Sequence, residues 1–171
     1  MRRFVTSNLQ LGRPQAIKKY NRPFKDVDEM TDSLIKEWNS VVTSNDLVYH
    51  LGNFAWDPKT AQDALERMNG QIWLLPAEYD DAVMILARKG MLRQGVKVIN
   101  RILPLEAYKA TLSYWPMEAW PEKNKGYYSI IGHPQKQYKS DPAKKRINVS
   151  TDLWGYKPQD LEKTLQIFYD I

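Results

Sequence analysis

The chain has 171 residues, a net charge of +5 and no cysteine, with six Trp, ten Tyr and four Phe. That length and aromatic content suit one folded domain with a real core, and they exclude a disordered chain, a disulfide scaffold and a Cys-based metal site. Met1-Arg2-Arg3 runs into Phe-Val-Thr-Ser-Asn and not into an apolar leader, and no apolar run nears the ~20 residues of a membrane span, so a soluble, cytoplasmic protein is expected.

Arg3 to Thr6 reads as a short buried strand. Asp26 opens a helix, with Glu29 three residues on completing a capping box, and Met30, Leu34, Ile35, Trp38, Val41 and Val42 mark one face at helical spacing. Asp46 to Leu51 is a second strand closed by Gly52. Asp57-Pro58 opens a second helix with Ala61, Ala64, Leu65 and Met68 inward, and Asn69-Gly70 ends it. Gln71 to Leu75 forms a third strand, and Asp81 to Lys89 a short helix. Val96 to Leu103, Ala107 to Leu112, Tyr127 to Ile131 and Ile147 to Ser150 read as further strands, and Pro158 to Leu161 starts a last helix through Leu165 and Phe168. Strand and helix alternate through the first half, which predicts parallel pairing with right-handed crossovers in an α/β sandwich with helices outside. Ser7-Asn8, Gly52-Asn53, Ala77-Glu78, Ser113-Tyr114 and Gly132-His133 each follow a predicted strand. Ligands of open α/β sheets gather at carboxyl ends of strands, so these five should converge on one pocket.

Five longer stretches carry a resemblance: Leu11-Gly12-Arg13 through Tyr20-Asn21-Arg22-Pro23-Phe24, Trp38-Asn39-Ser40-Val41-Val42, Tyr49 to Ala55, Leu112-Ser113-Tyr114-Trp115-Pro116, and Asp152-Leu153-Trp154-Gly155-Tyr156-Lys157-Pro158. In these, and in their order, the chain resembles the calcineurin-like metallophosphoesterases in their short bacterial and phage form. The resemblance implies a layered α/β/β/α sandwich formed by residues 1–171 as a single domain, with a two-metal site at the strand ends. The departures fall on the metal ligands. Where the family has Asp-x-His this chain has Asn8-Leu9-Gln10, and the bridging aspartate falls on Asn53. The Gly-Asn-His-Asp motif falls on Ala77-Glu78-Tyr79-Asp80, a lone histidine on Tyr114, and Gly-His-x-His on Gly132-His133-Pro134-Gln135. A first metal would meet Asn8, Gln10, Asn53 and Gln135, and a second Asn53, Glu78, Tyr114 and His133. Neutral amides are far weaker ligands than carboxylate or imidazole, so neither a metal nor another cofactor is expected. Adjacent aspartates repel unless a cation neutralises them, and Asn in their place keeps the shape without the charge.

His50, inside a strand, reads as a core or pocket-wall residue, and Asp80 as a cap of the helix after it. Ser7 and Ser113 lack a nucleophile-elbow pattern around them. Arg13 and Arg22 suit a phosphate grip or a loop-closing salt bridge, and Trp115, Trp120 and Trp154 either ring a pocket mouth or pack in the core. Lys123, Lys125, Lys136, Lys139, Lys144, Lys145 and Arg146 form a basic stretch on either side of Gly132-His133. Such a stretch suits an anionic partner, an acidic protein in preference to nucleic acid, or else a solvated loop. Two function classes stay open: an inactive phosphoesterase-like protein that works by binding a protein, for example as a phage-encoded inhibitor or accessory factor, and a phosphoesterase or nuclease with an aberrant metal site.

Overall fold

The computed structural model describes residues 1–134 and 138–169. Its first half builds a mostly parallel sheet. Strand β1 (Arg3–Thr6) pairs with β2 (Leu47–His50), β2 with β3 (Gln71–Leu74) and β3 with β4 (Val96–Val98), all parallel, while the short β9 (Gln159–Asp160) adds an antiparallel edge next to β1. The second sheet runs β5 (Ile102–Leu105), β6 (Ala110–Ser113), β7 (Tyr128–Ile131) and β8 (Arg146–Asn148), with β6, β7 and β8 parallel and β5 antiparallel at the edge. A bridge between Ser7 and Ser150 ties the end of β1 to the segment after β8, so the two sheets meet where their parallel strands finish.

The strand period of two sorts side chains between two cores. Phe4, Val48, Ile72 and Leu74 face the helices α1 (Pro14–Tyr20), α2 (Val27–Val41), α3 (Pro58–Arg67) and α4 (Asp81–Arg88), which bring Met30, Leu34, Trp38, Ala64, Leu65 and Leu86 against that face. Val5, Leu47 and Tyr49 point the other way and pack on Ala110, Leu112, Ile130 and Ile147 of the second sheet. Helix α5 (Leu161–Tyr169) follows the edge strand β9 and adds Leu161 and Leu165 to this inter-sheet core. The far face of the second sheet is covered by the irregular segment around Trp120, where Thr111 Oγ1 donates to the Pro121 carbonyl. The layers are thus helices, sheet and sheet, with α5 at the edge of the inter-sheet core. Among the described residues no helix is long and apolar enough to cross a membrane.

Local chemistry explains most boundaries. Asp26 caps α2 by accepting from Glu29 N–H at 2.8 Å, while the Glu29 carboxylate reaches back to Lys25 N–H, one residue before the position that the usual capping box would use. Asp57 accepts from Thr60 N–H ahead of Pro58 in α3. The expected strand Val96 to Leu103 is in fact two strands in different sheets, and the chain crosses between them at residues 99–101. The expected strand Ala107 to Leu112 begins instead with a 310 turn, Glu106–Tyr108, and a left-handed Lys109 at φ 46°. The last helix starts at Leu161 because Gln159 and Asp160 are taken up in pairing with Val5 and Phe4.

Candidate functional site

The carboxyl ends of β2, β3, β6 and β7 bring Asn53, Glu78, Tyr79, Tyr114 and His133 to the lining of a pocket of about 550 Å³, while Asn8 and Gln10, after β1, bond to its lining residues Asp152 and Tyr20. Three residues of this site hold left-handed backbone: Asn8 at φ 60°, Gln10 at φ 53° and Asn53 at φ 57°. Asn tolerates that region, whereas for Gln it costs about 1–2 kcal/mol and persists only if the surroundings enforce it. Asp80 is part of that enforcement. It is buried, and its carboxylate accepts from the N–H groups of Asn53 and Phe54 at 2.8 Å and of Ala77 at 2.6 Å. Burial pushes the Asp80 carboxyl above its ordinary value, and the three N–H donors oppose that rise. The expected capping role of Asp80 toward α4 is therefore corrected: its side chain makes no cap bond and instead fixes the loops after β2 and β3. Gly52 and Gly132 allow the close approach, since a Cβ at Gly52 would lie 2.4 Å from Ala77 Cβ and one at Gly132 2.6 Å from Ser7 Cβ.

The amides bond to one another. Gln10 Nε2 donates to Asn8 Oδ1 at 2.6 Å and to the Tyr20 hydroxyl at 2.9 Å, while Gln10 Oε1 accepts from Arg13 at 2.8 Å. Asn53 Nδ2 donates to the Tyr114 hydroxyl at 2.7 Å and Asn53 Oδ1 accepts from Tyr79 N–H at 3.2 Å. Asn8 Nδ2 donates to Asp152 Oδ2 at 3.2 Å. Asp152 in turn forms a two-pronged ion pair with Arg22, at 2.7 Å and 2.9 Å. Arg22 is fully buried and also donates to the Leu9 and Asn8 carbonyls, so it closes the loop and does not present itself to a ligand. Burial, with Tyr20 and Glu78 nearby, pushes the Tyr114 phenol well above its usual value and keeps it protonated. Burial pulls the His133 imidazole below its ordinary value and so favours the neutral ring, Lys19 acting in the same direction and the Glu78 charge opposing both. His50 is fully buried in the interior beside Phe54 and does not line the pocket, its imidazole lowered to about 3 by burial.

Asn8, Gln10, Asn53, Tyr79, Tyr114, Glu78 and His133 are thus brought together, and Gln135 lies outside the described residues. Among the described residues no three His, Asp or Glu side chains stand close enough to hold a metal ion. Lys19, Tyr20 and Asn21 also line the pocket, at the end of α1, a helix that sequence reasoning missed. Arg13 lies 4.5 Å over the Trp56 ring and 4.8 Å from that of Tyr79, and makes no salt bridge among the described residues. Trp56, Tyr79, Trp115 and Leu153 are all exposed around the mouth, and Trp115 stacks edge-on against Tyr114. Trp120 and Trp154 are instead tied down, by bonds to the carbonyls of Tyr127 and Asn148. Of the basic stretch, Lys123, Lys144, Lys145 and Arg146 line a second cleft, Lys125 pairs with Glu122, Lys139 is exposed, and Lys136 lies outside the described residues.

No family model matches the chain. A protein of unknown function from Aquifex aeolicus, AQ665, has a crystal structure that superposes with a TM-score of 0.68 at 17% identity, over 97% of this chain and 98% of that one, a likeness of fold. The uncharacterized protein MJ1445 of Methanocaldococcus jannaschii is 30% identical over 172 residues, covering 96% of this chain and 89% of the relative. At that identity and coverage, the chain belongs to the same protein family as MJ1445.

Proposed function

We propose that this protein has the metallophosphoesterase type of sandwich without the metal chemistry, and that it acts in the cytoplasm by binding a protein partner. The observation that carries the reading is the bonding of Gln10 to Asn8 and of Asn53 to Tyr114, with Asn53 Nδ2 3.5 Å from Asn8 Oδ1, at the positions where the resemblance puts metal ligands. Each amide oxygen there accepts from a neighbouring donor, and a neutral amide oxygen is in any case a far weaker ligand for a cation than carboxylate or imidazole. The left-handed Gln10 supports a retained site geometry, because strained backbone of this kind clusters at functional sites. Two-metal hydrolysis needs a metal-activated hydroxide and a cation on the leaving oxygen, and these side chains supply strong ligands for neither. A protein partner fits the exposed rim of Trp56, Tyr79, Trp115 and Leu153, since Trp and Tyr with a neighbouring Arg such as Arg13 are the side chains that dominate interface energies.

Elemental analysis of protein purified without chelators, calorimetric titration with manganese and zinc, and an assay on a chromogenic phosphodiester test this directly. The expected outcome is no stoichiometric metal, no saturable heat and no turnover. Close to one equivalent of tightly held metal per chain would overturn this reading, and turnover with it would establish the other, a phosphoesterase working through Glu78 and His133.

A further inference from the structure

Residues 116–124 and 138–146 face each other across a cleft of about 800 Å³. Pro116, Met117, Trp120 and Ala143 give its lining an apolar part, and Lys123, Lys144, Lys145 and Arg146 a basic one against one carboxylate, Glu118. Three of the four cations have no carboxylate partner among the described residues. Lys123 Nζ donates to the Glu118 carbonyl, Lys145 Nζ to the Gly126 carbonyl at 3.3 Å, and Arg146 Nε to the Lys139 carbonyl at 3.3 Å. Lys144 reaches Asp141 only at 3.8 Å. Carbonyl groups orient these cations without neutralising them, which leaves a focused positive field in a concave site. Lys145 is held at φ 50° by the 310 turn Pro142–Lys144, a further conformational cost at the cleft.

We propose that this cleft is a docking site for an acidic peptide segment of the partner. Its carboxylates would meet Lys123, Lys144, Lys145 and Arg146, and one apolar side chain would seat on Met117 and the edge of Trp120. The proposal rests on the binding function above only in taking the partner to be a protein. Charge complementarity alone would suit nucleic acid equally well, but single strands are held by bases stacking on open ring faces. Here Trp120 is only 9% exposed and the Lys123 ammonium sits 4.7 Å over its ring. Tyr138 has Arg146 at 5.9 Å and meets the His133 ring at 5.3 Å. A peptide needs no open ring face. The same Tyr138 places the cleft beside the strand-end pocket, because His133 lines the pocket while Tyr138 lines the cleft. A partner seated on the aromatic rim can therefore extend an acidic segment into it.

Fluorescence anisotropy decides the matter with three probes: a labelled Glu/Asp-rich peptide carrying a central Leu, the same peptide with the Leu replaced by Ser, and an oligothymidylate. The parent protein should bind the Leu peptide tightest. The combined Lys144→Glu, Lys145→Glu, Arg146→Glu variant, checked for folding by circular dichroism, should bind it on the order of tenfold or more weakly. Met117→Ser should weaken the Leu peptide and leave the Ser peptide unchanged, a readout that survives if charge reversal perturbs the fold. Tighter binding of the oligothymidylate than of the Leu peptide, or equal binding of the Leu peptide by parent and both variants, overturns the proposal. Metal titration reports on the strand-end pocket and these probes on the cleft, so either reading can fail without the other.

Discussion

At the scale of single residues, the two asparagines at the strand ends are not equivalent. Asn53 Nδ2 donates to a phenol, which can turn its own proton toward an incoming carboxylate, whereas Asn8 Nδ2 donates to a carboxylate, Asp152 Oδ2, at 3.2 Å. Asn8→Asp would therefore set two carboxylates against each other and delete the donor between them. Arg22 already engages both oxygens of Asp152, so it can offset only part of the repulsion. The expected cost of Asn8→Asp at neutral pH is about 3 kcal/mol, with Asn53→Asp costing less. Burial and Asp152 would both raise the new carboxyl's pKa in the folded state above its unfolded value. The folded variant then binds the proton more readily, so its deficit against the parent is full above the raised folded pKa and shrinks as pH falls through it toward the unfolded value. Urea melts of parent and both variants at neutral and mildly acidic pH measure this. Equal midpoints for Asn8→Asp and the parent at neutral pH would mean that position 8 is open to water.

At the scale of elements, Arg22 does what no strand or helix can: it joins the turn after α1, the end of β1 and the segment after β8. Its bonds to both Asp152 oxygens and to the Leu9 and Asn8 carbonyls use the planar fork of the guanidinium, and its side chain is 0% exposed while Asp152 keeps 17%. Arg22→Ala should cost about 3–5 kcal/mol by leaving Asp152 unpaired. Arg22→Lys keeps the charge but not the fork and should still cost on the order of 2 kcal/mol. Thermal melts of the pair check the order, and a Lys variant as stable as the parent would reduce Arg22 to a plain counter-charge. Such a tie was only half legible in the sequence. Arg22 could be read as a loop salt bridge, but nothing in the chain named Asp152, 130 residues away, as its partner. The same limit explains the other misses. Helix α2 declared itself through Asp26, Glu29 and a full apolar stripe, whereas α1 buries only Ala16 and has no capping side chain. Val96 to Leu103 reads as one strand because apolar residues flank both sides of Asn100-Arg101, and only the fold shows that this polar pair marks the step from one sheet to the other. Asp80 looked like a cap because it precedes a helix, and only the fold brings Asn53, Phe54 and Ala77 N–H groups to its carboxylate.

At the scale of the whole molecule, the strand-end site was legible as a set of positions, because five strand ends could be counted in the sequence, while the way the amides satisfy one another depends on how the folded loops orient them. The site also sits where the two halves of the chain are joined. Val5, Leu47 and Tyr49 of the first sheet share one core with Leu112, Ile130 and Ile147 of the second, and the same strands give Phe4, Val48 and Ile72 to the helical core. Losing either core strips one face from the central strands, so neither half can retain its packing alone. Residues 1–171 should accordingly unfold in a single cooperative step, as expected of one domain. Two probes separate the halves: Trp38 and Trp73 belong to the first, Trp115 and Trp120 to the second. Single-tryptophan variants retaining only Trp38 or only Trp120, melted in urea with fluorescence and far-ultraviolet circular dichroism, should show coincident transitions, once each variant's own midpoint by circular dichroism is taken as its reference. Trp120 fluorescence changing at distinctly lower urea than the circular dichroism of the same variant would show that the second sheet opens on its own. The acidic-peptide cleft, which lies wholly within that second half, would then be a locally unfolding surface and not a rigid one.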